Sequence, residues 1–232
     1  MTRKRIPGTE RRTQIVTAAR RVFSRHGYDG AKTLQIAREA NVSEALVYRH
    51  FPSKLALYRA VLRQVFADQD DRWREQGIRD EGTPGLVQAI HGFIAASVAD
   101  ATDPERLDTN RMMLASLAGD GSYASLIYRR SQRRNGQTMD AAYAAARADG
   151  GLSGEALDVP AAAMFLEHVG SMIAAIGALP PAAQPYGVAG DELVRQATWF
   201  CLRGIGMSDA EIRKHLGLLL QTAGQESART VM

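Results

Sequence analysis

The segment SEALVYRHFPSK, residues 43–54, concentrates hydrogen-bonding and charged side chains of the kinds that contact DNA bases. Arg49 can form two parallel hydrogen bonds to guanine, and Glu44 can accept a hydrogen bond from the amino group of cytosine. Ala45 and Leu46 can contact thymine methyl groups. The residue types therefore predict a segment that reads base edges in a major groove. In the alternative reading, Arg49 only points to solvent.

Neighbouring side chains are suited to phosphate rather than to bases. Lys54 combines a cation with the free N–H groups of a helix N-terminus. Thr33 and Ser43 stand where helices begin, so their hydroxyls can either cap a helix or bind phosphate. Lys32 precedes Thr33, and the pattern allows two arrangements here. Either Thr33 caps the helix one residue late, or Lys32 binds phosphate directly.

These side chains need two short helices joined by a tight turn, and residues 32–51 have that pattern. Ile36 and Ala40 lie on one stripe of the first helix. Asn41 suits the left-handed residue past a helix end, and Ser43 suits the N-cap of the second helix. The segment therefore predicts a helix-turn-helix whose second helix can enter a major groove.

The segments on both sides extend this pattern to three helices and the start of a fourth. Val47 and Phe51, four residues apart, can both reach the core, which leaves the polar residues of the second helix outside. Pro52 ends that helix, and Ser53 can cap the next one. The preceding helix carries an apolar stripe and ends at Gly27; the stripe consists of Ile15, Ala18, Ala19, Val22 and Phe23.

A Gly-Tyr pair after the first helix, then IAREANVS, then LVYRHFPSKLAL resemble the N-terminal domain of the TetR family of transcriptional regulators. The resemblance runs from Arg11 to about Val65. It implies that Tyr48 and His50 contact the DNA backbone and neighbouring bases, although Tyr48 can also pack between helices. Two positions depart from the family pattern. Lys32 stands where the family usually has Ser or Thr, and Leu46 stands where it often has Thr, which affects which bases are read.

The charge is divided unevenly along the chain. Residues 1–63 contain 14 Lys and Arg against 4 Asp and Glu, a balance of +10, whereas the remainder has 15 against 21, a balance of −6. A basic head on an acidic body favours polyanion contact at one end of the molecule. Double-stranded DNA is therefore the expected macromolecular partner.

The whole sequence predicts a soluble, all-α protein of 232 residues, since no segment shows strand alternation. The single cysteine, Cys201, excludes an intrachain disulfide and predicts a buried, inert thiol in a cytoplasmic protein. The N-terminus lacks the apolar core of a signal peptide. The longest apolar tract is interrupted by Glu167 and His168, which argues against a membrane span.

Three regions are expected along the chain. Residues 1–9 form a basic disordered arm, residues 10–55 a helix-turn-helix DNA-binding domain, and residues 56–225 a larger helical domain for ligand binding and dimerisation. The family resemblance implies homodimerisation through helices near 158–179 and 191–207. It also implies a cavity for a small-molecule effector among the central helices.

The candidate residues for an effector site are aromatic, methionine and histidine side chains, which suit an apolar or amphipathic ligand. The same stripe is also typical of plain core. Arg129, Arg130, Arg133 and Arg134 could bind an acidic ligand, but such a cluster is more often a solvated face. The candidates are Trp73, His91, Phe93, Met112, Met113, Tyr123, Met164, Phe165 and His168.

No phosphate loop, H-E-x-x-H or G-x-S-x-G motif is found, and neither His91 nor His168 has a second metal ligand at i+3 or i+4. The sequence therefore predicts a non-enzymatic regulator without cofactor or metal. The family resemblance implies a repressor, which binds a palindromic operator as a homodimer and is released by an effector. The alternatives are a DNA-binding activator and a helical interaction module without an inducer.

Overall fold

The computed structural model describes residues 7–76 and 82–230, and side chains at 7–71, 82–133 and 139–219. This part of the chain is helical, with one isolated β-bridge between Leu152 and Met207 and no named strand, so the all-α prediction is confirmed. The helices are α1 Gly8–Gly30, α2 Thr33–Glu39, α3 Glu44–His50, α4 Lys54–Gln76, α5 Gly82–Asp100, α6 Pro104–Ala118, α7 Ser122–Ala148, α8 Val159–Gly177, a 3-10 turn Pro181–Ala183, α9 Gly190–Gly204 and α10 Asp209–Thr230.

The chain divides into two compact units. The first contains Met1–Glu75 and Pro104–Ala124, and the second contains Gln76–Asp103 and Ser125–Met232. Helix α6 therefore belongs to the same unit as the helix-turn-helix, although it lies far along the sequence. Compact units and functional domains need not share boundaries, so the domain limits at residues 9, 55 and 225 stay predictions.

An aromatic cluster lies at the centre of the first unit. The ring of Phe23 is fully buried and meets the ring of Tyr58 edge to face, with centroids 4.9 Å apart. The ring centroid of Tyr28 lies 4.9 Å from that of Tyr58. Gly27, between these aromatic residues in sequence, has φ +65° and interrupts regular α1 geometry, as predicted. The cluster therefore connects the end of α1 with the start of α4.

A buried arginine joins α1 to α6. Arg20 is only 4% exposed, and its guanidinium pairs with Glu105 at the start of α6 and lies 3.6 Å from Asp68 of α4. One turn further along α1, the hydroxyl of Ser24 donates a hydrogen bond of 2.7 Å to Asp108. Two polar contacts one helical turn apart therefore fix the position of α6 along α1.

The core of the second unit is built around α5, which packs against α8, α9 and α10. Leu86 and Ile94 on α5 and Leu202 on α9 have no exposed surface. Cys201 lies in this core at 3% exposure, and burial raises the pKa of its thiol to about 11. The predicted buried, unreactive thiol is thus confirmed.

Helix α8 approaches α5 closely at Gly170. A Cβ atom at that position would lie 2.5 Å from a ring carbon of Phe93 and 2.6 Å from the hydroxyl of Ser97. The Ala- and Gly-rich sequence of α8 allows close packing against another helix. At Gly170 that packing occurs within one subunit.

Two matched substitutions test this close approach. We expect Gly170→Ala to lower the free energy of unfolding by about 1–3 kcal/mol, because the added methyl group must displace Phe93 or Ser97. Gly92→Ala, in α5, meets nothing within 4 Å and should instead raise it by about 0.5–1 kcal/mol through helix propensity. Urea unfolding followed by circular dichroism measures both. Equal effects of the two changes would contradict the predicted packing.

Candidate DNA-binding site

Helices α2 and α3 form the predicted helix-turn-helix. Ile36, Val47 and Phe51 are buried at 0%, 1% and 3% exposure. Asn41 in the turn has φ +52°, which confirms the predicted left-handed residue. Because Val47 and Phe51 face the core, the remaining side chains of α3 face outward.

The two helix starts are capped in different ways. The backbone N–H of Leu46 donates to the hydroxyl of Ser43 at 3.2 Å, as predicted for an N-cap serine. At α2 the N-cap residue is Lys32, and its backbone N–H donates to the side-chain oxygen of Gln35 at 2.8 Å. Thr33 is the first helical residue and does not cap. Glutamine three residues after the N-cap is half of a capping box, a local signal of a helix start that is visible in the sequence.

None of the ten candidate DNA-binding side chains is buried. All ten are accessible from solvent, and their contacts with DNA stay predictions. The exposed members are Lys32, Ser43, Ala45, Tyr48 and Arg49, and the half-buried members are Thr33, Glu44, Leu46, His50 and Lys54.

Three of these residues form one hydrogen-bonded chain across the outer surface of the motif. The hydroxyl of Thr33 donates to Glu44 Oε1 at 2.5 Å, and its oxygen lies 3.1 Å from the hydroxyl of Tyr48. The single hydroxyl proton of Thr33 is used on the carboxylate, so Tyr48 is the donor in the second bond. Glu44 and Tyr48 are four residues apart and share a face of α3, but their link through Thr33 could not be read from sequence.

Lys54 has partners within the protein. Its ammonium donates to the carbonyl oxygens of Tyr28 at 2.8 Å, Ala31 at 3.2 Å and Asp29 at 3.4 Å, and lies 4.6 Å from the centroid of the Tyr28 ring. These three acceptors use all three N–H groups of the side chain. The phosphate contact expected for Lys54 therefore stays a prediction, and the geometry favours a role in holding the segment between α1 and α2.

Substitution of Lys54 distinguishes these two roles. We expect Lys54→Met to lower the free energy of unfolding by about 1–3 kcal/mol, since three carbonyl groups lose a charged donor. The slope of log affinity against log salt on DNA should keep the wild-type value, because no phosphate contact is lost. Chemical unfolding and a salt titration of DNA binding measure the two quantities. A slope reduced by one unit with unchanged stability would instead identify a phosphate ligand.

Three exposed side chains beside the motif were not among the sequence candidates. The guanidinium of Arg12 lies 4.8 Å from the centroid of the Phe51 ring, a cation–π contact that places a positive charge beside the end of α3. Leu34 on α2 and Leu55 on α4 are 44% and 43% exposed. The basic composition of the first helix was the available signal for Arg12, whereas nothing in the pattern indicated the exposure of the leucines.

The candidate effector-binding residues divide between the two units. In the first unit, Met112, Met113 and Tyr123 are buried, and the hydroxyl of Tyr123 has no hydrogen-bond partner among the described residues. Burial raises the pKa of that hydroxyl. These residues therefore form core that contains one buried polar group available to a ligand or a water molecule.

The candidates of the second unit are more open. Phe165 is 66% exposed, and the ring of His168 lies 3.2 Å from the hydroxyl of Tyr128. Burial lowers the pKa of His91. The remaining candidates, Phe93 and Met164, are half-buried, and the side chain of Trp73 lies outside the described residues.

The arginine cluster of α7 has local partners. Nε of Arg129 donates to the carbonyl of Ser125, and Nε of Arg133 donates to the carbonyl of Arg129, each at 3.2 Å. The side chain of Arg134 lies outside the described residues. The described side chains contain no group of three or more His, Cys, Asp or Glu residues that could hold a metal ion.

Helices α8 and α9 expose large apolar side chains. On α8, Phe165 and Met172 are seven residues apart and are 66% and 45% exposed, and Phe200 on α9 is 68% exposed. Leu179, just past the end of α8, is 45% exposed. Within the described residues, α8 is also the one helix long and apolar enough to cross a membrane by length and composition, with 28% of its apolar window buried. Large apolar side chains exposed along one side of a helix indicate a surface that binds another protein chain or a membrane.

Residues 15–61 match the sequence family described as bacterial regulatory proteins, tetR family. The HTH-type transcriptional activator FasR of Mycolicibacterium smegmatis is 48% identical over 60 residues, which are 26% of this chain and 27% of FasR. The HTH-type transcriptional repressor KstR of the same species is 29% identical over 141 residues, 61% of this chain and 65% of KstR. The matched segments thus span less than two thirds of these relatives.

A likeness in fold extends over more of the chain than the likeness in sequence. The crystal structure of AibR in complex with isovaleryl coenzyme A and operator DNA superposes with a TM-score of 0.60 at 16% identity, covering 82% of this chain and 97% of AibR. At this identity the comparison establishes a common fold and no shared ligand.

Proposed function

We propose that this chain, whose residues 15–61 match the tetR family of bacterial regulatory proteins, is a sequence-specific transcriptional regulator that binds DNA through α3. One observation carries the proposal. Within the matched segment, α3 buries Val47 and keeps every candidate contact residue at least partly exposed. The +10 balance of residues 1–63 supplies the electrostatic attraction that phosphate binding requires.

In the proposed complex, α3 enters the major groove. Arg49 binds guanine, Ala45 and Leu46 contact thymine methyl groups, and Glu44 accepts from cytosine. The remaining candidates fix the register through phosphates, since backbone contacts position a protein and base contacts give it specificity. These are Lys32, Thr33, Ser43, Tyr48 and His50, with Lys54 acting through its hold on the chain before α2.

The proposed regulator is a homodimer that covers its exposed α8 and α9 surface with a second copy. Two-fold symmetry would bring Phe165, Met172 and Phe200 of each subunit into one interface. A second copy of the chain is a better partner for this surface than a lipid bilayer. Helix α8 carries the charged residue Glu167 at its middle, and its large exposed apolar residues lie along one side only. Two DNA-binding domains related by a two-fold axis require a near-palindromic operator.

A small molecule, apolar or amphipathic, is the proposed effector, and its binding releases the repressor from DNA. AibR, which shares this fold, was solved with an acyl thioester ligand as well as operator DNA. The buried, unpaired hydroxyl of Tyr123 offers one polar anchor, and Met112 and Met113 are buried in the same unit. A nearly complete switch requires the effector to favour the released state by about 5.5 kcal/mol.

The proposal is tested by selecting bound sequences from a random DNA pool at about 150 mM salt, where weak non-specific binding is suppressed. We expect a near-palindrome whose half-sites are about 10 base pairs apart or a multiple of that distance. Recovery of no shared sequence, with binding only at low salt, would contradict the proposed function.

The direction of regulation needs a separate test, because the two relatives compared here differ in it. FasR is an activator and KstR a repressor, and the DNA-binding segment does not determine which outcome follows. We expect repression when the selected operator is placed across a promoter in a reconstituted transcription reaction. Increased transcription from an operator placed upstream of that promoter would establish the activator instead.

A further inference from the structure

We infer that Glu44 couples the reading of one base pair to phosphate contact by Thr33 and Tyr48, so that it acts as a specificity determinant against non-cognate DNA. The inference rests on the proposed function and deepens it. It starts from the hydrogen-bonded chain in which Tyr48 donates to Thr33 and Thr33 donates to Glu44.

In this arrangement both hydroxyl protons are donated to partners within the protein. A phosphate oxygen only accepts hydrogen bonds, so neither Thr33 nor Tyr48 can bind phosphate until its proton turns outward. When the Thr33 proton turns outward, the half-buried carboxylate of Glu44 loses a charge-assisted hydrogen bond. That carboxylate is then left facing DNA, where the surrounding charges are also negative.

A cytosine amino group in the major groove removes this conflict. Its N4–H donor can replace the Thr33 hydroxyl on Glu44, and both hydroxyls then become available to phosphate. A base pair that presents no donor at that position leaves Glu44 either unpaired or still bound to Thr33. Either outcome loses contacts, so one mismatched base pair costs both a base contact and its associated phosphate contacts.

The first test compares the sequences selected by the wild type and by Glu44→Gln. For the wild type we expect cytosine at one fixed position in each half-site. A glutamine at residue 44 binds adenine through N6 and N7, so we expect that position alone to change towards adenine. We also expect the ratio of operator to non-specific affinity to fall about tenfold, the size of a single mismatch. Glu44→Ala, which removes the acceptor altogether, should weaken the base preference at the same position of the operator.

A matched control separates this coupling from simple loss of negative charge. Glu39→Gln makes the same change of net charge on α2, where the carboxylate pairs with Arg25 at 2.8 Å and with Arg21 at 3.6 Å. We expect Glu39→Gln to leave base preference unchanged. In a Thr33→Val background, Glu44→Gln should raise non-specific affinity no more than Glu39→Gln does, because the hydroxyl that binds Glu44 is absent.

The outcomes distinguish the inference from the proposed function. If the wild type selects no shared sequence, both are overturned. If the wild type selects a palindrome and Glu44→Gln and Glu44→Ala leave every position unchanged, only the inference is overturned. If Glu44→Gln raises non-specific affinity equally in the wild-type and Thr33→Val backgrounds, Glu44 acts by its charge alone and the inference is likewise overturned. Circular dichroism of each variant confirms that it is folded before its binding is compared.

Discussion

The double variant Phe165→Glu, Phe200→Glu is expected to be monomeric and to bind a palindromic operator at least about 100-fold more weakly than the wild type. The two side chains are 66% and 68% exposed on α8 and α9, so their replacement leaves the subunit core intact. In a two-fold interface the change would bring four carboxylates into an apolar contact, and burying each of them without a partner is costly. A monomer then loses the advantage of binding two linked half-sites at once.

Sedimentation velocity measures the assembly state, and binding to the selected palindrome and to a single half-site measures the functional consequence. We expect half-site affinity to stay within about threefold of the wild type, because α3 and its charges are unchanged. Leu117→Glu is the matched control, since Leu117 is 48% exposed but lies on α6. A double variant that remains dimeric would contradict the proposed interface, and a monomer with full operator affinity would contradict the need for a dimer.

The substitution Phe23→Ala is expected to lower the free energy of unfolding of the first unit by about 3–5 kcal/mol. Phe23 has no exposed surface and lies against the ring of Tyr58 at 4.9 Å, so the change leaves a cavity between α1 and α4. The total free energy of unfolding of a domain is only about 5–15 kcal/mol. Operator binding should therefore be lost at temperatures at which the wild type still binds.

Phe23→Leu is the control for this effect, because it keeps most of the volume and should cost only about 1–1.5 kcal/mol. Urea unfolding gives both values, and operator binding as a function of temperature shows their consequence. The core of the second unit is a separate cluster that excludes Phe23, so we expect Phe23→Ala to remain dimeric. Stabilities of the two variants within about 1 kcal/mol of each other would contradict the central role of the aromatic cluster.

The elements that the sequence specified well are those with local chemical signals. The cap at Ser43 and the left-handed Asn41 follow from preferences that act within one turn of a helix. Helix α7 ends at Ala148, shortly before Gly150 and Gly151, which mark its end locally.

The remaining features depend on contacts between distant parts of the chain. Lys54 was predicted to bind phosphate, and its carbonyl partners lie 23 to 26 residues earlier in the sequence. Arg20 was counted only as one of many basic residues, yet it is buried against Glu105. The Thr33–Glu44 hydrogen bond joins residues from separate helices. Neither periodicity nor local composition contains information about such pairings.

The contact of Arg20 and Ser24 with α6 has a consequence for genetics. Because Glu105 and Asp108 anchor α6 to the first helix, substitutions there are expected to disturb operator binding, although they lie more than 50 residues beyond the helix-turn-helix. A screen for variants that no longer bind the operator should therefore find substitutions in two separate regions. One region is residues 32–54, and the other is near the start of α6. Substitutions in the second region lie within the expected effector-binding domain of the sequence. From sequence position alone, their effect would be attributed wrongly to effector binding. An expression fragment that ends after α4 would lack α6 and expose the partners it normally covers.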